Sequence, residues 1–121
     1  MTEKRKHRRV NLIYYLEIHD QKTNYCIGHL VDISQGGIRM VSEFESIPDI
    51  EHNIQIYLPE DSSQKSVTMR AKSCWTQKDI NPAYNASGLE FVELSEENTK
   101  IIKKMMNRYG MVSSLTGASY G

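Results

Sequence analysis

The spacing of hydrophobic and polar positions along this chain of 121 residues changes once, near residue 93. Before that point apolar side chains alternate with polar ones or gather in short β-branched and aromatic runs. After it they recur at intervals of three and four. The first pattern is that of strands, whose successive side chains face opposite ways, and the second that of one helix. Val10 to Ile18 predicts a strand and Tyr25 to Ser34 a second, joined through the polar stretch Asp20-Gln21-Lys22-Thr23-Asn24. Ile38 to Val41 is a short third. Residues 42–53 (SEFESIPDIEHN) form a longer connection, because Pro48 cannot donate to a sheet ladder. Ile54 to Leu58 alternates and stops at Pro59-Glu60-Asp61-Ser62-Ser63.

Val67 to Thr76 alternates over a greater length. Val67, Met69, Ala71 and Trp75 share one side, and Thr68, Arg70, Lys72 and Thr76 the other. That parity directs Trp75 to the core and sets Cys74, an inert and partly buried thiol, on the polar side. Gln77 to Pro82 is a loop, and Ala86 to Val92 completes the strands. Ser95 then caps a helix with Glu96 and Glu97 in its first turn, where acidic groups are favoured. Ile101, Ile102, Met105, Met106 and Tyr109 make its apolar face, and Gly110 ends it. Six short antiparallel strands followed by one amphipathic helix predict a mainly β protein, a small barrel with the helix packed on it. Residues 10–110 form one domain, residues 1–9 a flexible basic arm, and residues 111–121 a loose tail.

Composition changes this picture little, but charge changes it more. With 39% hydrophobic and 25% charged residues, the chain is an ordinary globular domain. No apolar run approaches the roughly 20 residues that span a bilayer, and the basic N-terminus is not followed by a signal-type apolar segment. Cys26 and Cys74 fit reduced thiols in a cytoplasmic protein, with a bridge between them left open. The formal net charge is zero, yet Lys4, Arg5, Lys6, Arg8 and Arg9 face only Glu3 in the first ten residues. A basic arm therefore precedes a body of net negative charge.

No catalytic set emerges. His7, His19, His29 and His52 are scattered, without an HxxxH or HxxE pair to set ligands on one face. There is no GxSxG elbow, Walker loop or GxGxxG fingerprint. Binding is expected rather than catalysis, with no metal and no cofactor. The stretch HLVDISQGGIRMV, residues 29–41, carries the chemistry instead. Asp32 and Ser34, two apart on a strand, project together as a carboxylate acceptor and a hydroxyl. Gly36-Gly37 gives either a tight turn or a place where a flat ligand approaches the main chain. Arg5 and Arg9 supply the complement, because guanidinium groups grip phosphates or the O6/N7 edge of guanine and stack on purines.

Arg5-Lys6-His7-Arg8-Arg9 matches RxxxR, and Asp32-Ile33-Ser34-Gln35-Gly36-Gly37 matches [D/N]xSxxG. In this order, on this strand pattern, the chain resembles the PilZ domain family over residues 3–109. Cys74-Trp75 at the end of the long strand and Gly88-Leu89-Glu90-Phe91 before the helix extend the likeness. The resemblance implies a six-stranded antiparallel β-barrel that is a bacterial receptor for cyclic di-GMP. Arg5 and Arg9 would clamp the ligand, and Asp32, Ser34 and Gly37 would hold a guanine. Lys4, just before the first motif arginine, implies an intercalated ligand dimer. Gly36 and Arg39 are expected neighbours of the ligand, and Trp75 a contact in similar domains despite its core parity. A protein partner in motility, pilus, biofilm or exopolysaccharide control would take the output, with no DNA and no membrane insertion. Two rival readings are a degenerate PilZ module that binds only proteins, and a nucleic-acid-binding small barrel, which the acidic body argues against.

Overall fold

The computed structural model describes residues 9–45 and 47–111. Its elements are β1 (Val10–Asp20), β2 (Cys26–Ile33), β3 (Gly37–Ser42), β4 (Glu51–Tyr57), β5 (Ser66–Lys78), β6 (Asn85–Val92) and α1 (Glu96–Tyr109). The strands close into an antiparallel barrel in the order β1-β2-β3-β6-β5-β4, with β4 returning to β1. Closure gives every strand two neighbours, although only Ile18, His19 and Asp20 of β1 pair with β4. The six expected strands and the helix are all present. The sheet also takes up Glu51, His52 and Asn53, which pair with Lys72, Ala71 and Arg70, so the connection through Pro48 is shorter than expected.

Inward-facing Ile18, Leu30, Ile33, Ile38, Ile54 and Ile56 are fully buried and form the core with Val67, Met69, Ala71 and Leu89. Burying one such aliphatic side chain contributes about 1.5–3 kcal/mol. Ile102, Met105 and Tyr109 bring the apolar face of α1 into the same cluster. The helix begins where Ser95 accepts from the Asn98 amide, as expected. It is tied to the barrel at both ends. Asn98 Nδ2 donates to the Thr68 carbonyl of β5, and Gly110 bridges to Leu12 of β1. Gly110 has an ordinary negative φ. Its need is for space, because a Cβ there would stand 2.4 Å from both the Met106 carbonyl oxygen and Val10. Cys26 and Cys74 are both exposed free thiols, so no bridge joins them and Cys74 is not partly buried. Among the described residues, no helix is long and apolar enough to cross a membrane.

Candidate functional site

Two β-bulges determine what the barrel shows on its outer face. Pairing between β2 and β3 slips between Leu30 and Asp32, so Leu30 and Ile33 both point inward while Asp32 turns outward beside Arg39. Pairing between β5 and β6 slips between Ser73 and Trp75. Ser73 stays inward, fully buried, and Trp75 swings outside with 37% of its surface exposed. The core placement that simple parity gave Trp75 is therefore wrong. A bulge inserts one residue and reverses the facing of everything after it.

The slips bring four positions into one transverse row. Asp32 pairs with Arg39, Arg39 with Gly88, and Gly88 with Trp75. Cross-strand partners share a face, so all four look outward together. Gly88 has no side chain, and the indole covers it so closely that an added Cβ would stand 2.2 Å from Trp75 Nε1.

Asp32 is the electrostatic centre of the row. Arg9 Nη1 donates to its Oδ1 at 2.8 Å, and Arg39 Nε lies 2.9 Å from its Oδ2. The second contact is an ion pair without hydrogen-bond alignment, since the Arg39 N–H has no acceptor in line. Together they leave Asp32 5% exposed although it faces outward. One carboxylate between two guanidinium groups leaves a local excess of positive charge. Both arginines keep side-chain surface open to solvent, 30% and 41%. Charge-assisted pairs of this kind are the stronger hydrogen bonds of a protein.

The remainder of the motif builds a turn. Ser34 Oγ accepts from the Gly36 and Gly37 amides at 3.1 and 3.2 Å, and the Ser34 amide donates to the Gly37 carbonyl at 2.8 Å. The hydroxyl thus stands in for a backbone acceptor, as serine does in turns. Ser34 is 3% exposed, as closed off as Asp32 at 5%, and its hydroxyl is engaged within the turn. Neither glycine adopts a left-handed backbone angle. Gly37 is required by proximity, because a Cβ there would sit 2.2 Å from the Leu89 carbonyl oxygen of β6. Gly36 presents its carbonyl to the Phe91 amide. Of the other expected residues, Arg5 and Lys4 lie outside the described residues.

From Arg39 a groove of about 850 Å³ runs down the outer faces of β2 and β3, walled by Val31, Val41, Phe44, Ile80 and Tyr84. It is broad enough for a nucleotide-sized ligand. Sequence reasoning missed this groove and left the indole divided, its parity pointing to the core and the family resemblance to the ligand. One signal was available for the indole, since a glycine inside a strand, here Gly88, often marks a bulge or a close approach.

A carboxylate flanked by guanidinium groups, an exposed indole on the same row and an apolar groove beside them suit a planar, anionic ligand. Solved structures share this fold. Among solved structures, the Bacillus subtilis inhibitor of motility MotI/DgrA superposes with a TM-score of 0.71 at 19% identity, over 88% of this chain and 51% of that one. The PilZ domain of Escherichia coli YcgR with c-di-GMP gives 0.71 at 11% identity over 98% of both chains. The K. pneumonia MrkH–c-di-GMP complex gives 0.69 at 14% identity over 99% and 56%. The chain thus spans about half the length of MotI and of MrkH, and nearly all of the YcgR domain. Curated proteins give no match to the sequence. The PilZ domain family model matches residues 3–108, which is almost the whole of the described barrel and helix, and the chain belongs to the PilZ domain family.

Proposed function

We propose that the protein is a receptor for cyclic di-GMP and not an enzyme. The observation that carries this reading is Asp32, held on the outer face between Arg9 and Arg39 and in one row with Trp75. The carboxylate can accept from the N–H groups of a guanine edge. The two guanidinium groups can turn to phosphates, and the indole offers a face on which a base or an arginine stacks. YcgR and MrkH have both been solved with c-di-GMP, which supports the choice of ligand. Arg5 would join Arg9 in the clamp, and Lys4 would favour two ligands per chain.

In this reading the ligand-free state is a latch. Arg9 already neutralises Asp32, so a guanine that takes the carboxylate displaces Arg9 toward the phosphates. The base of the arm then changes place, and a new surface forms for a protein partner. A cytoplasmic role in motility, pilus, biofilm or exopolysaccharide control follows, with motility favoured by the likeness to an inhibitor of motility. Calorimetric titration with cyclic di-GMP, with GTP as control, tests the proposal. Selective binding at micromolar concentration or tighter is expected, with two nucleotides per chain. Absence of heat and of chemical-shift changes at Asp32, Arg39 and Trp75 would overturn it.

A further inference from the structure

A second cluster lies on the same outer face but at the other end of β1 and β2. His19 of β1 pairs directly with Cys26 of β2, and Glu17 pairs directly with His29. A bulge between Ile18 and His19 puts these pairs side by side on the outside of the barrel. His19 Nε2 stands 2.8 Å from Glu17 Oε1. The donor atoms of Glu17, His19 and Cys26 all lie within 4.8 Å of one another. Histidines scattered in sequence, with no ligand spacing between them, are thus joined by strand pairing to a thiol and a carboxylate.

The ring of His19 is also held for coordination. Its Nδ1 lies 3.1 Å from the Asn24 carbonyl oxygen. A carbonyl only accepts, so Nδ1 carries a proton and Nε2 is the ring nitrogen that faces the Glu17 carboxylate. The Asn24 carbonyl is itself fixed by the β1–β2 turn. Asp20 accepts from the Thr23 amide and hydroxyl, and Asn24 takes a left-handed φ of 65° while donating to the Asp20 carbonyl. Metal-bound histidines regularly donate their other N–H to such a carbonyl, which sets the tautomer and the ring plane.

We propose that Glu17, His19 and Cys26 form a zinc site, with His29 placed to swing in as a fourth ligand. Thiolate, imidazole and carboxylate together match a borderline-soft, tetrahedral ion better than magnesium or calcium, which take oxygen ligands. Bond lengths of roughly 2.0–2.3 Å around a tetrahedral zinc put its ligand atoms roughly 3–4 Å apart. The cluster reaches that by side-chain adjustments of about an ångström, which exposed Glu17 and Cys26 permit. The ion would staple β1 to β2 beside their turn. It would also border the groove, because Cys26 and His29 line it. The site uses none of the residues assigned to the nucleotide, so it stands or falls separately.

The test is titration of the reduced full chain with zinc in competition with a chromogenic chelator, and with cobalt as a spectroscopic probe. One ion per chain is expected, with a thiolate-to-cobalt charge-transfer band and a rise in melting temperature on adding zinc. Cys26→Ser should abolish the band. Glu17→Gln and His19→Ala should each weaken zinc binding by about tenfold or more, the least that losing even a supporting group costs. Cys74→Ser should change nothing. No uptake at micromolar zinc, or uptake unchanged by Cys26→Ser and Glu17→Gln, would overturn the proposal. Both of those side chains are exposed, so these variants report on a folded chain.

Discussion

The β4–β5 ladder and the β5–β6 ladder share a strand and behave oppositely. Between β4 and β5 seven consecutive pairs, Glu51↔Lys72 to Tyr57↔Ser66, run without interruption. Val67, Met69 and Ala71 alternate inward there as their parity requires. Between β5 and β6 the register slips after Ser73, and Trp75 faces the opposite way from its parity. The same holds on the far side of the row, where the slip before Asp32 turns a carboxylate out of the core. The unbroken β4–β5 ladder carries packing, and the slips beside Asp32 and Trp75 turn out groups that can meet a ligand, with Arg39 and Gly88 of the regular β3–β6 ladder between them. Each slip removes a polar or bulky group from the interior and presents it on the surface, as bulges beside functional sites do.

The sharpest way to break this division is Asp32→Ala. It removes the acceptor and leaves Arg9 and Arg39 without their shared counter-charge. Truncating one partner of a largely buried, hydrogen-bonded charge pair costs about 2–5 kcal/mol in a binding interface. Calorimetry should therefore show cyclic di-GMP affinity falling by about thirtyfold or more. Gly37→Ala attacks the packing side instead. Its Cβ would meet backbone, the Leu89 carbonyl oxygen at 2.2 Å, which no rotamer can relieve. A denaturant melt should show a loss of about 1–3 kcal/mol, the usual cost of overpacking.

Much of this was legible in the sequence, and what was not has one physical cause. All six strands, the Ser95 cap and the helix face of Ile102, Met105 and Tyr109 follow from period and capping chemistry. The motif residues Arg9, Asp32, Ser34 and Gly37 were legible as a set. Their division of labour was not. Ser34 and Gly37 hold a turn, and only Asp32 faces outward between charges. Facing is a property of register, and an inserted residue in a ladder leaves almost no trace in composition. For the same reason His19 and Cys26, seven residues apart, gave no ligand spacing although they are direct partners across two strands.

Arg9→Ala comes next in expected size. Losing one charge-assisted hydrogen bond, about 1.5–3 kcal/mol, should weaken cyclic di-GMP by about tenfold or more. Binding of the parent should also weaken as salt rises, and the variant should show a shallower salt dependence because one cation no longer takes part. An Arg9→Ala variant that binds like the parent at every ionic strength would place the clamp elsewhere.

Gly88→Ala should have the smallest effect on stability and the most specific effect on the row. A Cβ at Gly88 would stand 2.2 Å from Trp75 Nε1 and 2.4 Å from Cε2, so the indole has to move. Unlike the Leu89 carbonyl beside Gly37, the indole is a partly exposed side chain with room on its outer side. Gly88 is buried beneath the indole, but because the clashing atoms belong to a side chain, the loss should stay below the usual overpacking cost of about 1–3 kcal/mol. Trp75 is the single tryptophan of the chain, so its emission reports this movement directly. The expected result is a shifted emission maximum, a melting temperature close to the parent's, and a smaller fluorescence change on adding cyclic di-GMP. A large fall in melting temperature with unshifted emission would mean that the indole is locked in place as packing. The bulge after Ser73 would then serve the barrel rather than the ligand.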